Sequence, residues 1–145
     1  MNFFALAPRR FFALLVTIAA MIALWRYGPA HGFTPFAIRM GAGAFRAAAI
    51  YFIVALLLRD RPRRQILVVA ALVCAAIELS KLTHTPALDI FRLTPVGTKL
   101  LGRLFSWLNF AAYAAGLICA LVLDALLAGG LLHPLEKRSR ARRKR

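Results

Sequence analysis

Four long apolar stretches follow one another along the chain, with basic residues near most of their ends. They cover residues 11–25, 39–58, 65–82 and 104–123. None alternates apolar and polar positions as a strand would, and all are rich in Ala and Leu, which favours helices. A membrane crossing needs about 20 mostly apolar residues, and backbone groups in lipid must be paired within the segment. The pattern therefore predicts an all-α, polytopic membrane protein with four transmembrane helices.

The connections between these stretches differ in length and character. Residues 59–64 form a short turn between the second and third stretches, whereas residues 83–103, between the third and fourth, are longer and amphipathic. Within the longer connection, Thr85–Pro86 and Thr94–Pro95 each place a possible N-cap hydroxyl before a proline, a pattern typical of helix starts. We therefore expect two short helices there, lying in the membrane interface.

The composition supports a membrane protein and excludes other classes. Hydrophobic residues make up 61% of the chain and charged residues 17%, against about 45–50% and about 25% in soluble domains. A soluble domain is therefore not expected, and neither is a disordered basic chain, despite the net charge of +15. Cys74 and Cys119 lie in apolar stretches without metal-ligand or redox spacing, so no metal or other cofactor is expected.

The distribution of basic residues predicts the orientation. Four crossings place both termini on one side of the membrane, together with the turn at residues 59–64. That side would carry 13 of the 20 basic residues, and the opposite side six: Arg26, Arg39, Lys81, Arg92, Lys99 and Arg103. Because cytoplasmic loops carry an excess of Lys and Arg, both termini are predicted to be cytoplasmic.

The chain is predicted to form one transmembrane domain, residues 1–135, followed by a disordered basic cytoplasmic tail, residues 136–145. Basic residues near an anionic leaflet bind its headgroups, and the tail contains seven: Lys137, Arg138, Arg140, Arg142, Arg143, Lys144 and Arg145. No aromatic residue is interleaved among them, which argues against nucleic-acid binding. For the first stretch, a signal peptide cleaved after Ala30 is the alternative to a crossing helix.

Two charged residues within the apolar stretches are the first candidates for a site. Arg46 lies 16 residues before Pro62 and Glu78 lies 16 after it, so a hairpin turning at Pro62 places both at nearly the same depth. We expect a salt bridge between them, with Asn109 joining a polar cluster toward the outer leaflet. Charges inside a membrane indicate function by default. Two interpretations stay open: a clasp that fixes helix register, and a binding site for an anionic or polar headgroup.

Other features predict how the helices pack. Small residues recur every four positions in three of the stretches, which lets helices approach closely, either within the chain or in a homo-oligomer. They are Gly43 and Ala47; Ala71 and Ala75; and Ala112, Gly116 and Ala120. Asp124, near the cytoplasmic end of the fourth stretch, is expected to pair with an arginine of the 59–64 turn.

The segment at residues 77–89, Ile-Glu-Leu-Ser-Lys-Leu-Thr-His-Thr-Pro-Ala-Leu-Asp, resembles the signature of a small bacterial membrane family. That family, domain of unknown function 2809, has a pattern like Glu-x-Ser-Gln-Leu-Tyr-His-Ala-Pro-Trp-x-Asp. The likeness continues at matching spacing through Arg92, Thr94, Gly97, Leu101, Gly102, Phe105, Trp107 and Tyr113. The resemblance implies a bacterial inner-membrane location and a topology but no mechanism. A more distant similarity to VanZ-like membrane proteins points to the cell envelope.

The departures from this family pattern change the expected chemistry. An acidic residue opening the second stretch of the family falls on Ala42 or Ala44 here, and the family's Trp-Ser-Asp becomes Trp-Leu-Asn, ending at Asn109. The Gln of the signature becomes Lys81. Two acidic groups are thus lost while Arg46 and Lys81 are present nearby, which favours an anion-accepting cluster over cation binding.

The sequence as a whole favours a non-enzymatic inner-membrane protein whose outward-facing polar cluster binds an anionic envelope lipid or another ligand. The candidate residues are Arg46, Glu78, Lys81, His84, Asp89, Arg92 and Asn109. Arg46, Lys81 and Arg92 would hold the anion, with Glu78 and Asn109 orienting them. One alternative is an accessory subunit of a larger membrane complex. The other is an enzyme acting on lipid-linked phosphate with His84 and Asp89 as acid and base, although no catalytic motif is present.

Overall fold

A computed structural model describes residues 3–100 and 105–129. These residues form α-helices joined by short connections, and the described part of the chain contains no strand. The helices are α1 (Phe3–Tyr27), α2 (Pro35–Leu57), α3 (Arg63–Ser80), α4 (Pro86–Leu93), α5 (Pro95–Leu100) and α6 (Trp107–Leu127), with a 3-10 turn at Pro29–His31. The all-α prediction is confirmed. Two short helices precede the last long one, and their location in the membrane interface stays a prediction.

Local sequence features explain where several helices begin. The Thr34 hydroxyl accepts a hydrogen bond from the amide of Ala37 at 3.2 Å, and the proline that follows Thr34 suits the first helical position of α2. The Thr94 hydroxyl caps α5 by accepting from the amide of Gly97 at 3.0 Å. The predicted cap at Thr85 is wrong, because its side chain makes no capping hydrogen bond. Only the proline marks the start of α4.

The four long helices form an antiparallel bundle in which α2 is central. Helix α2 packs against α1, α3 and α6, and α3 also packs against α6. The core consists of residues from these helices, including Tyr51, Phe52, Ile66 and Ala120, all almost fully buried. Many large apolar side chains point outward instead, such as Phe12 on α1, which is 67% exposed. An apolar exterior is expected of helices that face lipid.

Three helices are long and apolar enough to cross a membrane: Leu6–Tyr27 in α1, Pro35–Leu57 in α2 and Trp107–Leu127 in α6. These three correspond to the first, second and fourth predicted crossings. Helix α3 is not among them; it has 18 residues, and two arginines and a glutamate lie in its sequence. The membrane character predicted from the sequence is therefore supported by three helices, and the fourth crossing stays a prediction.

Small residues bring α2 and α6 into close contact. A Cβ placed on Gly116 would lie 2.1 Å from the backbone oxygen of Ala44, and one placed on Gly43 would lie 3.2 Å from the Cβ of Ala112. The stripes predicted on these two stretches therefore pack against each other within the chain. Their use in a homo-oligomer stays a prediction.

This contact predicts that Gly116→Ala destabilises the bundle by about 1–3 kcal/mol, because the methyl group meets backbone that cannot turn away. Gly41→Ala is the matched control, since its methyl group would meet only the flexible end of Leu24 at 2.7 Å. Both changes gain the same helix propensity. Thermal unfolding in detergent should give a lower melting temperature for Gly116→Ala than for Gly41→Ala; equal melting temperatures would contradict the contact.

A buried ion cluster joins the helices at one end of the bundle. The carboxylate of Asp124 is fully buried and accepts from Arg10 at both oxygens, with Nε–Oδ1 at 2.6 Å and Nη2–Oδ2 at 2.9 Å. Arg63 Nε and the Tyr51 hydroxyl also donate to Oδ2, at 3.2 Å and 3.3 Å. Arg10 further donates to the backbone oxygen of Ala55 at 2.9 Å. The predicted pairing of Asp124 with the 59–64 turn is thus confirmed through Arg63, while the partner on α1 was not predicted.

Candidate functional site: a cationic cavity at the other end of the bundle

A cavity of about 670 Å³ lies at the end of the bundle opposite Asp124. Its apolar wall includes Trp25 of α1, Phe33 of the following connection and Ile38 of α2. Its polar wall is formed by Arg39, Arg46, Lys81, Thr98, Asn109 and Tyr113. The volume lies within the range of roughly 300–1,000 Å³ that is usual for small-molecule sites.

The charged groups of the cavity wall are all cationic. Arg39 and Arg46 come from α2, and Lys81 directly follows α3. Among the described residues, no Asp or Glu lines this cavity. A concave site with apolar walls and charge of one sign attracts ligands of the opposite sign, so this arrangement suits an anionic group attached to an apolar body.

A buried carboxylate supports one side of the cavity. Glu78, fully buried, receives two hydrogen bonds at each oxygen. Lys81 Nζ and the Tyr113 hydroxyl donate to Oε2 at 2.5 Å and 2.7 Å. The Asn109 amide and the backbone amide of Ser106 donate to Oε1 at 2.8 Å and 3.0 Å. Three of these bonds tie the end of α3 to the start of α6, and the bond from Lys81 is local to the end of α3. Together they fix three side chains that line the cavity: Lys81, Asn109 and Tyr113.

The predicted salt bridge between Arg46 and Glu78 is wrong. Lys81, three residues further along the same chain, takes the position of the counter-ion, and groups of α6 occupy the remaining acceptor positions. Arg46 instead lines the cavity together with Tyr113, whose hydroxyl donates to Glu78. The similar depth predicted for Arg46 and Glu78 stays a prediction. The inclusion of Asn109 in the cluster with Glu78 is confirmed.

Arg92 has a structural position outside the cavity. It is buried, and its guanidinium donates to the backbone oxygens of Ser80 and Thr83, the latter at 2.9 Å. It also pairs with Asp89 at 3.2 Å. These bonds fasten α4 to the C-terminal end of α3, and they occupy donors that the sequence analysis assigned to an anion. Arg92 does not line the cavity and takes no part in its charge.

His84 and Asp89 also lie away from the cavity lining. Their side chains are 70% and 43% exposed, and His84 Nδ1 is 3.4 Å from Asp89 Oδ1. Neither belongs to the residues that line the cavity. The structure thus brings together Arg46, Lys81 and Asn109 around the cavity, with Glu78 behind them. The seven basic residues predicted to bind lipid in the tail lie outside the described residues.

Several residues of the cavity were not among the sequence candidates, and two of them have a helical spacing to residues that were. Arg39 lies seven residues before Arg46, which places both on one face of α2. Tyr113 lies four residues after Asn109, one helical turn further along α6. These spacings were available in the sequence, whereas the cavity to which they point depends on how the helices pack. In the described part of the chain, no group of three His, Cys, Asp or Glu residues is placed to hold a metal.

Part of the chain matches a known protein family. A family described as "Protein of unknown function (DUF2809)" matches residues 34–117, more than half of the chain. The chain belongs to the DUF2809 family. No curated protein matches the chain, and no solved structure matches it.

The DUF2809 match covers most of the cavity but only part of the bundle. It begins at the N-cap of α2 and ends within α6, so it includes Arg39, Arg46, Lys81, Asn109 and Tyr113. The apolar wall from α1 and the connection after it lies outside the match, as does the ion pair between Arg10 and Asp124. Three of the positions discussed above as departures from the DUF2809 pattern, Ala42, Lys81 and Asn109, line the cavity.

Proposed function

We propose that this protein is a non-enzymatic integral membrane protein that binds the anionic headgroup of an envelope lipid in the cavity. The observation that carries the proposal is the wall itself, which combines Arg39 and Arg46 with an apolar surface and, in the described chain, no carboxylate. Arg holds phosphate through two parallel hydrogen bonds, and such charge-assisted bonds are stronger than neutral ones. Trp25, Phe33 and Ile38 would contact the apolar part of the lipid.

The position of α3 supports a fourth crossing. Arg63, at its first residue, joins the Asp124 cluster at one end of the bundle, and Glu78, near its last residue, joins α6 at the other. Its 18 residues extend about 27 Å at 1.5 Å per residue, close to the thickness of about 30 Å of a hydrocarbon core. The charge of Glu78 is compensated by Lys81. The length of α3 and the pairing of its buried charge are thus compatible with a crossing.

The exposed apolar residues of α4 and α5 support their placement in the membrane interface. Ile90 and Leu93 of α4 are 67% and 66% exposed, and Val96 of α5 is 59% exposed. Asp89, in the same region, is partly exposed. Short helices with one apolar and one charged face lie in the plane of the interface, so α4 and α5 would cover the bundle beside the cavity.

The basic residues support the orientation. The end of the bundle with Asp124 also carries the arginine-rich turn at residues 59–64 and Arg9. By the positive-inside rule this end would face the cytoplasm of a bacterial inner membrane. The cavity would then open toward the outer leaflet, while the basic tail would lie on anionic lipids of the inner leaflet.

The position of His84 and Asp89 favours binding over catalysis. They are the acid and base of the enzyme alternative, and both lie outside the cavity lining. An anion held by Arg46 would therefore meet no such pair. The accessory-subunit alternative stays a prediction, which the following experiment also tests.

Native mass spectrometry of the full chain in mild detergent, titrated with dioleoyl phosphatidylglycerol, tests the proposal. Arg46→Gln should weaken lipid binding about tenfold or more, because hydrogen bonds to charged groups contribute about 1.5–3 kcal/mol. Arg64→Gln is the matched control, since it removes the same charge from an exposed position at the N-terminal end of α3, outside the cavity lining. Equal binding by wild type and Arg46→Gln would overturn the proposal, and a stoichiometric protein partner in place of lipid would favour the accessory subunit.

A further inference from the structure

The two arginines of the cavity lie at different depths on one face of α2. Seven residues separate Arg39 from Arg46, which is almost two helical turns and about 10 Å along the axis. Arg39 is exposed at the start of α2, whereas Arg46 is partly buried further along the helix. Both line the same cavity, so its positive charge extends from the mouth inward.

The third cation contributes no net charge. Lys81 Nζ is 2.5 Å from Glu78 Oε2, and such a pair is neutral wherever its proton lies. Within the described residues, neither Arg39 nor Arg46 forms an ion pair with a carboxylate. Arginine stays protonated in proteins. Arg39 lies over the ring of Phe36 at 5.7 Å, a contact that leaves its charge in place. The cavity therefore carries two uncompensated charges at two separate points.

Resting on the function proposed above, we infer that the preferred ligand is a lipid diphosphate, with two linked phosphates on one apolar chain. A single phosphate held by Arg46 leaves the charge of Arg39 without a counter-ion nearly two turns away. A second phosphate linked to the first extends toward the mouth and compensates that charge. The apolar wall of Trp25, Phe33 and Ile38 accommodates the start of the lipid chain.

Three probes test the second phosphate and the apolar chain separately: farnesyl diphosphate, farnesyl monophosphate and inorganic diphosphate. Their binding to the full chain in neutral detergent is measured by isothermal titration calorimetry without divalent cations. Farnesyl diphosphate should bind at least about tenfold more tightly than farnesyl monophosphate, because it forms a second charge-assisted contact. Inorganic diphosphate should bind more weakly than farnesyl diphosphate, because it leaves the apolar wall uncovered.

Variants assign the two phosphates to the two arginines. Arg39→Gln should abolish the preference for the diphosphate over the monophosphate, whereas Arg46→Gln should weaken both probes. Arg26→Gln is the matched control, because Arg26 lies at the C-terminal end of α1 without lining the cavity. The basic tail is the same in all of these chains, so its contribution to binding cancels in the comparison.

The outcomes distinguish this inference from the proposed function. If the wild type binds the two farnesyl probes with equal affinity, or if Arg39→Gln keeps the preference for the diphosphate, the role of a second phosphate is contradicted, while headgroup binding remains supported. If inorganic diphosphate binds as tightly as farnesyl diphosphate, the role of the lipid chain is contradicted. If none of the probes binds and phosphatidylglycerol does not bind either, both proposals fail.

Discussion

Glu78→Gln is expected to destabilise the protein by about 3–5 kcal/mol, because it leaves a buried ammonium group without its counter-ion. The side chains of Glu78 and Lys81 are 0% and 2% exposed, so the ammonium group left behind has little contact with bulk water. The amide would also disturb the hydrogen bonds from Asn109 and Tyr113 that hold α6 to α3. The measurement is the melting temperature in detergent, followed by tryptophan fluorescence and compared with that of Asp60→Asn, in which an exposed carboxylate is removed.

A second substitution identifies the partner of Glu78. Adding Lys81→Met to Glu78→Gln should recover much of the lost stability, since replacing both members of a buried pair costs far less than removing one. Adding Arg46→Ala instead should recover nothing, because Lys81 and not Arg46 is the counter-ion. If Glu78→Gln does not accumulate, the yields of the two double variants decide the same question. Rescue by Arg46→Ala rather than by Lys81→Met would contradict the structure.

Asp124→Asn is expected to cost a similar amount, about 3–5 kcal/mol, at the other end of the bundle. The side chain of Arg10 is 5% exposed and that of Arg63 is 30% exposed, so the loss falls mainly on Arg10. Arg63→Gln should cost only about 0–1 kcal/mol, as expected of a partly solvated pair. Melting temperatures of both variants, again with Asp60→Asn as the control, test this order.

The relative losses of stability in Asp124→Asn and Arg63→Gln show which contact contributes most to the cluster. If Arg63→Gln lowered the melting temperature as much as Asp124→Asn, the bond between α1 and α6 would not be the main contribution of the cluster. That bond is the bidentate contact of Arg10 with Asp124.

The long helices and their order were predictable because they depend on local properties of the sequence. Length and hydropathy define α1, α2 and α6, and a short polar turn separates α2 from α3. The pairing of Thr94 with the following proline predicted the start of α5, which the hydroxyl cap confirms. The same pattern at Thr85 predicted a helix correctly but a hydrogen bond wrongly, because a cap also depends on the direction of the hydroxyl.

The partners of the buried charges were predictable only in part. The number of residues from Pro62 predicted the relative depths of Arg46 and Glu78. It did not predict the direction in which each side chain points around its helix axis. Lys81 follows Glu78 by three residues and pairs with its carboxylate. Side chains three residues apart on a helix are neighbours, so this contact is local. At the other end, Arg63 was foreseen as a partner of Asp124, whereas Arg10 was not, because the contact of Arg10 depends on how α1 packs in the bundle.

The cavity itself could not be predicted, since it results from the way several helices meet. Its arginines recur with helical spacing on α2, but no periodicity indicates that α1, α5 and α6 leave open space beside them. Glu78, a candidate residue from the sequence, lies behind the polar wall of this cavity. Its bonds to Lys81, Asn109 and Tyr113 hold polar wall residues in place. The clasp interpretation describes these bonds, and the binding-site interpretation stays a proposal about the cavity in front of them.

The most direct test of headgroup binding is a crystal structure of the full chain grown in a lipidic mesophase that contains phosphatidylglycerol. Headgroup binding predicts a lipid phosphate inside the cavity, within hydrogen-bonding distance of the Arg46 guanidinium, with the lipid chain against Trp25 and Phe33. A cavity without phosphate, in which the Arg46 guanidinium is paired with a carboxylate of the protein, would contradict it.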